Sequence, residues 1–282
     1  MASRYRTTGF LGAAVMCLAL GACGSGSTAL NSGSVPPPEA LRTEFTQDSL
    51  ISIGDQLRGS ADYAQALAFY QRAQEADPKD YRAARGIGLT WQAMGSAENA
   101  IQNLSRAAEL NPTDVETRET LAKLCLAEGR LSEAKAEYQW LIAQNPENAA
   151  FYNGLAVTSD LLGDHGAAQA NYSLAISLAG DSRALRNNLA LSFAFSGDYE
   201  AAEEILSDMQ DTPRARQNLA LVYGLAGKRA KAQQTALQDL SMPDVQKNLA
   251  VYDRLRGMPS DEQAAIVLLG HPIAKQAAAL SH

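Results

Sequence analysis

Cysteine, histidine and aromatic residues are all scarce in this chain of 282 residues. The three cysteines, Cys17, Cys23 and Cys125, cannot form a disulfide framework, because the first two lie in the N-terminal segment. The three histidines stand apart from one another, and the sequence holds no HExxH or CxxC pair and no glycine-rich phosphate loop. The usual signs of enzyme chemistry are therefore missing, and we expect neither a cofactor nor a metal.

Clusters of lysine and arginine are also missing, and the formal net charge is −7. Because phosphate binding needs clustered basic residues, nucleic acid is not an expected partner. The hydrophobic share of 46% is rich in alanine and leucine, whereas aromatic residues make up only 6%. Alanine and leucine favour helices and strands favour β-branched and aromatic residues, so the composition predicts an all-α protein.

The first 23 residues have the profile of a secretory signal peptide, with two arginines ahead of an apolar stretch at 9–20. That stretch is too short to span a bilayer. It ends in Leu-Gly-Ala-Cys at 20–23, which resembles the bacterial lipobox, where signal peptidase cuts before a cysteine that becomes lipidated. The resemblance implies that residues 1–22 are removed and that Cys23 carries a lipid anchor. An ordinary secreted protein cleaved nearby and an uncleaved anchor are the alternatives.

The residues after the cysteine bear on where the anchor would sit. In Gram-negative lipoproteins an aspartate directly after the lipidated cysteine causes retention in the inner membrane. This chain has Gly24 there, so the resemblance implies that, in a Gram-negative host, the protein is anchored to the outer membrane on its periplasmic side. Residues 23–46 contain the lipidated cysteine followed by a segment rich in Gly, Ser and Pro. Such a composition predicts a flexible tether.

A period of 34 residues runs through much of the remaining chain. It is carried by prolines, glycines and alanines at constant offsets, namely Pro78, Pro112, Pro146, Gly95, Gly129, Gly163, Gly197, Ala66, Ala100, Ala134, Ala168 and Ala202. The pattern resembles the tetratricopeptide repeat, in which each unit is a pair of antiparallel helices with small residues at their contact. The resemblance implies a solenoid of helix hairpins that winds into a right-handed superhelix.

Beyond residue 180 the period shortens to 30 residues, as the Leu-Ala pairs at 189–190, 219–220 and 249–250 show. A glycine still follows each pair at the same distance. The four lost residues, about one helical turn, must therefore fall in the second helix of the unit or in the loop after it.

The spacing predicts six hairpins over residues 47–242 and a seventh first helix near Asp244 to Arg256. A short closing helix from Ser260 to Leu269 would complete the segment 243–269, and residues 270–282 would form a tail. We expect the closing helix to cap the last repeat, because an open-ended array needs covering. A helix that binds a partner is the alternative.

In stacked hairpins the first helices line the concave face. By resemblance to the tetratricopeptide family, the groove positions are the residue after each Leu-Ala pair and the residue four further on. They are mixed in the N-terminal half, at Leu89, Ala93, Lys123 and Ala127, and wholly apolar in the C-terminal half. The latter eight residues, called the apolar strip below, are Val157, Leu161, Leu191, Phe195, Leu221, Leu225, Val251 and Leu255. The strip suits the apolar face of a helix or an extended hydrophobic peptide; alternatively, the superhelix closes on itself and the strip is core.

Asparagines lie beside the strip. Asn188, Asn218 and Asn248 recur at one repeat position, which favours bonds between adjacent units. Asn187 is the preferred groove contact, because an asparagine can both donate to and accept from a peptide backbone. Cys125 falls where the repeat places a bulky core residue, and we expect it to be buried.

These features predict a binding protein. In length, lipobox and the segments 216–221 and 246–250, the chain resembles the tetratricopeptide lipoproteins of the tight adherence pilus system. That resemblance implies a pilotin-like role, in which the lipoprotein binds the secretin subunit as its protein partner and helps it assemble in the outer membrane. A scaffold in outer-membrane protein insertion or polysaccharide export is the alternative. A periplasmic enzyme with appended repeats is a third possibility, although no stretch outside the array exceeds about 25 residues, too few for a catalytic domain.

Overall fold

The computed structural model describes residues 45–273, and this range contains α-helices and no strands. The predicted all-α fold is confirmed. Cys23, the tether ahead of residue 45 and tail residues 274–282 lie outside the described residues. What the sequence predicts for them stays a prediction.

Twelve of the helices pair into six hairpins, each joined by a short turn. These are α1 (Gln47–Gly59) with α2 (Tyr63–Ala76), α3 (Tyr81–Ala93) with α4 (Ala97–Leu110), α5 (Val115–Ala127) with α6 (Leu131–Gln144), α7 (Ala149–Leu161) with α8 (His165–Ala179), α9 (Arg183–Phe195) with α10 (Tyr199–Ser207), and α11 (Pro213–Leu225) with α12 (Arg229–Ala236). Then follow α13 (Met242–Leu255) and α14 (Ser260–Leu269). Each helix packs on the next through the six hairpins, so the predicted solenoid is confirmed.

The periodic glycine lies in the turn between the two helices of a hairpin. Gly95, Gly129 and Gly163 have φ angles of 75°, 71° and 77°, a left-handed conformation that costs little only for glycine. In the first hairpin the equivalent residue is Ala61, which takes the same conformation at φ 62°. The backbone of the turn therefore explains the glycine period, and Ala61 is strained.

Adjacent hairpins are held together by a tyrosine ring that lies against a glycine of the next unit. Tyr70 of α2 is fully buried, and a β-carbon added to Gly86 of α3 would lie 2.3 Å from its ring. Tyr138 of α6 meets Gly154 of α7 in the same way, at 2.2 Å. A larger residue at either glycine would force the hairpins apart.

The shorter period near the C-terminus has a direct structural cause. The second helices α10 and α12 have 9 and 8 residues, whereas α2, α4 and α6 have 14 each. The lost turn falls in the second helix, one of the two places that the spacing allowed. Cys125 is buried in the core as predicted, and this burial raises the pKa of its thiol to about 12.

Candidate protein-binding groove

The first helices of neighbouring hairpins contact one another. α7 packs on α9, α9 on α11, and α11 on α13, while each second helix packs between its own first helix and the next one. The first helices therefore form the inner layer of the array. The predicted groove residues all belong to this layer.

The structure brings the apolar strip together, but it buries the strip. Its six largest members belong to one cluster of buried residues and are at most 7% exposed, namely Leu161, Leu191, Phe195, Leu221, Leu225 and Leu255. Val157 and Val251 pack against the same cluster and keep partial exposure. In this conformation other parts of the chain cover the strip, which is core. Its role in partner binding stays a prediction.

Over α7 and α9 the strip is covered by α14, the last of the helices in residues 45–273. Within residues 45–273, the helices against which α14 packs most are α7 and α9. Ala264 and Ala265 are buried in the same cluster as the strip, and residues 266–269 pack against it. The expectation that the closing helix caps the last repeat is wrong, because α14 turns back onto the fourth and fifth hairpins. The physical reason is that the apolar run at 264–269 of this helix gains most where it meets a large apolar surface.

The chain continues past α14 towards the third hairpin. A β-carbon added to Gly129, in the turn between α5 and α6, would lie 2.7 Å from Ile273 Cγ2. Between this segment and the inner layer lies a cleft of about 370 Å³, lined among others by Leu131, Leu161 and Ala265. The C-terminal segment thus lies against the turn of the third hairpin and against the inner face of the fourth and fifth hairpins.

Towards the N-terminus the inner face is accessible and more polar. Ala93, Lys123 and Ala127 are exposed, and Leu89 is half-buried. A cleft of about 280 Å³ between α1 and α3 is lined by apolar and charged side chains, namely Ile51, Asp55, Arg58, Tyr81, Arg82, Arg85 and Leu89 with Gly86. The mixed character predicted for this half is present in the structure.

The asparagine row divides into two roles. Asn188 Nδ2 donates to Asn153 Oδ1 across 3.0 Å, so Asn188 forms the predicted bond between adjacent units. Asn187 is 6% exposed and lines a small cleft of about 210 Å³ between α9 and the start of α11. Its Oδ1 has no hydrogen-bond partner among residues 45–273. Asn187 therefore keeps an unused acceptor beside the strip, and its contact with a partner stays a prediction.

A buried polar cluster behind the strip was not found by sequence reasoning, which took His165 to be isolated. Asp160 of α7 is fully buried and accepts a hydrogen bond from Ser192 Oγ at 2.7 Å, and His165 Nδ1 lies 2.9 Å from the same carboxylate oxygen. The imidazole ring centre is 6.0 Å from that of Phe195 in the strip. The signal that could have revealed the cluster is an aspartate near the end of a first helix, directly before the strip residue Leu161.

Electrostatics and geometry both give this cluster a structural role. Burial raises the pKa of Asp160, although the contacts with His165 and Ser192 oppose this effect. Burial and the nearby carboxylate also raise the pKa of Tyr172 well above its ordinary value. Ser192 bonds to the carboxylate and not to the imidazole, so the cluster lacks the serine–histidine contact that activates a nucleophile. It joins α7, α8 and α9 beneath the strip.

Residues 45–273 contain no group of three or more His, Cys, Asp or Glu side chains arranged to hold a metal ion. None of the helices in this range combines the length and the apolar character needed to cross a membrane.

The repeat pattern, the hairpin fold and the inner layer define the class: this is a tetratricopeptide-repeat protein. Residues 52–115 match the tetratricopeptide repeat family, and residues 88–263 match the family described as N-terminal acetyltransferase A, auxiliary subunit. Because the second match covers more than half of the chain, the protein belongs to the N-terminal acetyltransferase A auxiliary subunit family.

Curated relatives are similar only in part. Human Superkiller complex protein 3 is 30% identical over 93 residues, which is 33% of this chain and 6% of that protein. Rat DnaJ homolog subfamily C member 3 is 29% identical over 96 residues, covering 34% of this chain and 19% of the relative. Small glutamine-rich tetratricopeptide repeat-containing protein 2 of Mycosarcoma maydis is 25% identical over 124 residues, which is 44% of this chain and 35% of the relative. The chain thus spans at most about a third of the length of these relatives.

Solved structures cover more of the chain. A tetratricopeptide repeat protein from Parabacteroides merdae superimposes with a TM-score of 0.64 at 18% identity and covers 78% of this chain and 90% of its own. Pseudomonas aeruginosa PilF superimposes with a TM-score of 0.54 at 15% identity and covers 73% of this chain and 97% of its own. MamA superimposes with a TM-score of 0.54 at 21% identity and covers 70% of this chain and 97% of its own. At these identities the likeness shows the fold alone.

Proposed function

We propose that this protein is an adaptor that holds a protein partner on its inner face, close to the outer membrane on the periplasmic side. The observation that carries the proposal is the apolar strip, which accepts a helix: α14 lies on it. A helix laid into an apolar groove is a recurrent mode of protein recognition.

The arrangement of the chain supports binding over catalysis. The described residues are taken up by the repeats and by α14, and the one grouping of Asp, His and Ser has its contacts arranged for packing. Repeat arrays of this kind offer extended surfaces to their partners. The family match, to an auxiliary subunit, supports the same role.

The membrane and pilus parts of the proposal are supported by the sequence. Cys23 stands at the end of a lipobox-like sequence and would carry the lipid that anchors the protein. The chain resembles TadD, the tetratricopeptide lipoprotein of the tight adherence (Tad) pilus system, and a pilotin-like protein of this kind would bind the secretin subunit. The adaptor would then keep an exported secretin segment near the bilayer until it assembles.

The test is capture from native outer membranes by crosslinking, followed by mass spectrometry of the proteins that are recovered. We expect a secretin subunit. A Cys23→Ala variant, which cannot be acylated, is the matched control and should leave the outer-membrane fraction. Recovery of barrel-insertion or polysaccharide-export components would replace the pilus assignment and leave the adaptor. Absence of any specific partner would contradict the adaptor itself.

A further inference from the structure

We propose that α14 occupies the place of the partner, and that the partner supplies a short apolar helix that binds to α7 and α9 by displacing α14. This inference rests on the proposed adaptor function. It adds the chemistry of the bound segment and identifies α14 as the part of the chain that competes with it.

α14 lies where a partner helix would bind. It packs on two first helices of the inner layer, where the strip residues Leu161 and Leu191 are 4% and 5% exposed. A surface that buries one apolar helix can bury another of the same shape. The occupant that the strip fits is thus visible in the structure.

A short linker attaches α14 to the rest of the array. Four residues, 256–259, separate it from α13, and they include Gly257 and Pro259. The side-chain hydrogen bond of the buried Gln263 goes to the carbonyl of Met258, which belongs to the same C-terminal segment. That bond can move with α14 and does not tie it to the inner layer. A change in a few backbone angles of the linker would release the helix, as hinges do in other proteins.

The residues of α14 define the chemistry of the occupant. The two that are buried most deeply are small, Ala264 and Ala265, at 0% and 2% exposed. Four large aliphatic residues follow at 266–269, and each of them is only half-buried. A partner helix should therefore carry two adjacent small residues followed by about one turn of branched aliphatic residues, and a longer helix could cover more of the strip.

Occupation by α14 lowers the apparent affinity of any competing helix, because only molecules with α14 undocked can bind. If about 1% of molecules are undocked, the apparent affinity falls about 100-fold. Weakening α14 should therefore tighten binding, and fixing α14 in place should abolish it. These opposite effects distinguish a competitor from a helix that only stabilises the fold.

A disulfide can fix α14 in place. A β-carbon at Gly163, in the turn between α7 and α8, would lie 3.7 Å from the β-carbon of Asp261 in the first turn of α14. Disulfides join β-carbons at roughly 3.5–4.5 Å, so Gly163→Cys with Asp261→Cys should form one. Cys17 and Cys23 are replaced by serine to avoid wrong pairing. The single variant Gly163→Cys controls for the positive φ at this position.

The experiment measures binding of a fluorescent peptide with the sequence of residues 258–273 to the full-length protein by fluorescence anisotropy. We expect the oxidised double-cysteine protein to bind at least ~10-fold more weakly than the same protein after reduction, as the population argument requires. A protein with Ile266→Ala and Leu269→Ala, whose own α14 docks less well, should bind more tightly than the reduced protein. A peptide with aspartate in place of the two residues that correspond to Ile266 and Leu269 should not bind.

Equal binding by the oxidised and reduced proteins, or no binding by the reduced and α14-weakened proteins, would overturn the proposal. Dimers that exchange α14 between copies, in the absence of peptide binding, would also overturn it, because the strip would then serve a second copy. The experiment uses purified components, so its result does not depend on whether native capture recovers a secretin. Failure of the inference and failure of the proposed function are therefore distinguishable.

Discussion

Ser192 Oγ donates a hydrogen bond to Asp160 Oδ1 across 2.7 Å, and this bond joins the fifth hairpin to the fourth through a fully buried carboxylate. His165 shares the same oxygen from the other side. The two first helices joined in this way, α7 and α9, are those on which α14 lies. The apolar strip is thus backed by a polar cluster that fixes the spacing of its helices.

The cluster predicts a dependence of stability on pH. Burial raises the pKa of Asp160, so the folded state binds this proton more tightly than the unfolded state. The stabilising contribution is fully present below the ordinary aspartate pKa of about 4 and is lost as the pH rises through the raised value. Asp160→Asn keeps the shape and removes the titration. In urea titrations, the unfolding free energy of Asp160→Asn minus that of the wild type should rise between pH 4 and pH 8.

Asp160→Ala is the matched variant, because it removes the acceptor shared by Ser192 and His165. It should cost about 1–3 kcal/mol, the usual effect of leaving buried polar groups unpaired. The cluster does not support the fold if two results occur together. The difference in unfolding free energy between Asp160→Asn and wild type would not change with pH, and Asp160→Ala would be as stable as wild type.

Contact between a tyrosine and a glycine predicts opposite effects at two glycines. Gly154→Ala would bring a methyl group to 2.2 Å from the ring of Tyr138, and such overpacking should cost about 1–3 kcal/mol. Gly166→Ala, in the first turn of α8, meets no atom within 4 Å and should stabilise the protein by about 0.4–1 kcal/mol. Thermal unfolding of the two variants checks the pair. If Gly154→Ala and Gly166→Ala shifted the melting temperature in the same direction, the role given to Tyr138 would be refuted.

The first turn offers a stabilising substitution. Ala61 has a φ of 62°, a conformation that costs a residue with a β-carbon about 1–2 kcal/mol. Ala61→Gly should therefore raise the unfolding free energy by about 0.5–1 kcal/mol, after the greater freedom of glycine in the unfolded chain is subtracted. Gly95→Ala, at the equivalent place in the second hairpin, should instead lower the unfolding free energy. Chemical denaturation of both variants measures this, and a destabilising Ala61→Gly would argue against strain in the turn.

Charging the strip should damage the fold as well as any partner site. Leu191 and Leu221 are 5% and 7% exposed, and an unpaired charge at such a place costs about 3–5 kcal/mol. Leu191→Asp with Leu221→Asp should lower the melting temperature and expose α14 to proteases. Lys123→Asp, on the accessible part of the inner face, loses only an exposed ion pair with Glu119 and should change both far less. Unchanged melting of the double variant would mean that the strip is open in solution.

The repeat architecture could be predicted because its signals are local. A glycine at every hairpin turn but the first and a small residue at each helix contact recur with a fixed spacing, and the lost turn of α10 and α12 is a change in that spacing. Local backbone chemistry sets these features, so they can be recognised without knowledge of distant contacts.

The place of α14 and the contacts of Asp160 depend on distant parts of the chain. Periodicity shows that α14 and the strip are both apolar, but it does not show that they pair across about 70–100 residues, or that Ser192 and His165 meet one carboxylate. Both relations need the register of helices in space. The lipid on Cys23 and the secretin partner stay predictions, because the described residues and the comparisons do not test them.

Photocrosslinking from α14 tests the central claim most directly. A p-benzoylphenylalanine placed at Leu268 of the full-length protein should, after irradiation and digestion, be linked to peptides from α7 or α9 within the same molecule. The account predicts these links in the free protein and their loss when a partner helix is bound. Links to α12 or α13 instead would mean that α14 caps the last repeat, and they would contradict the account.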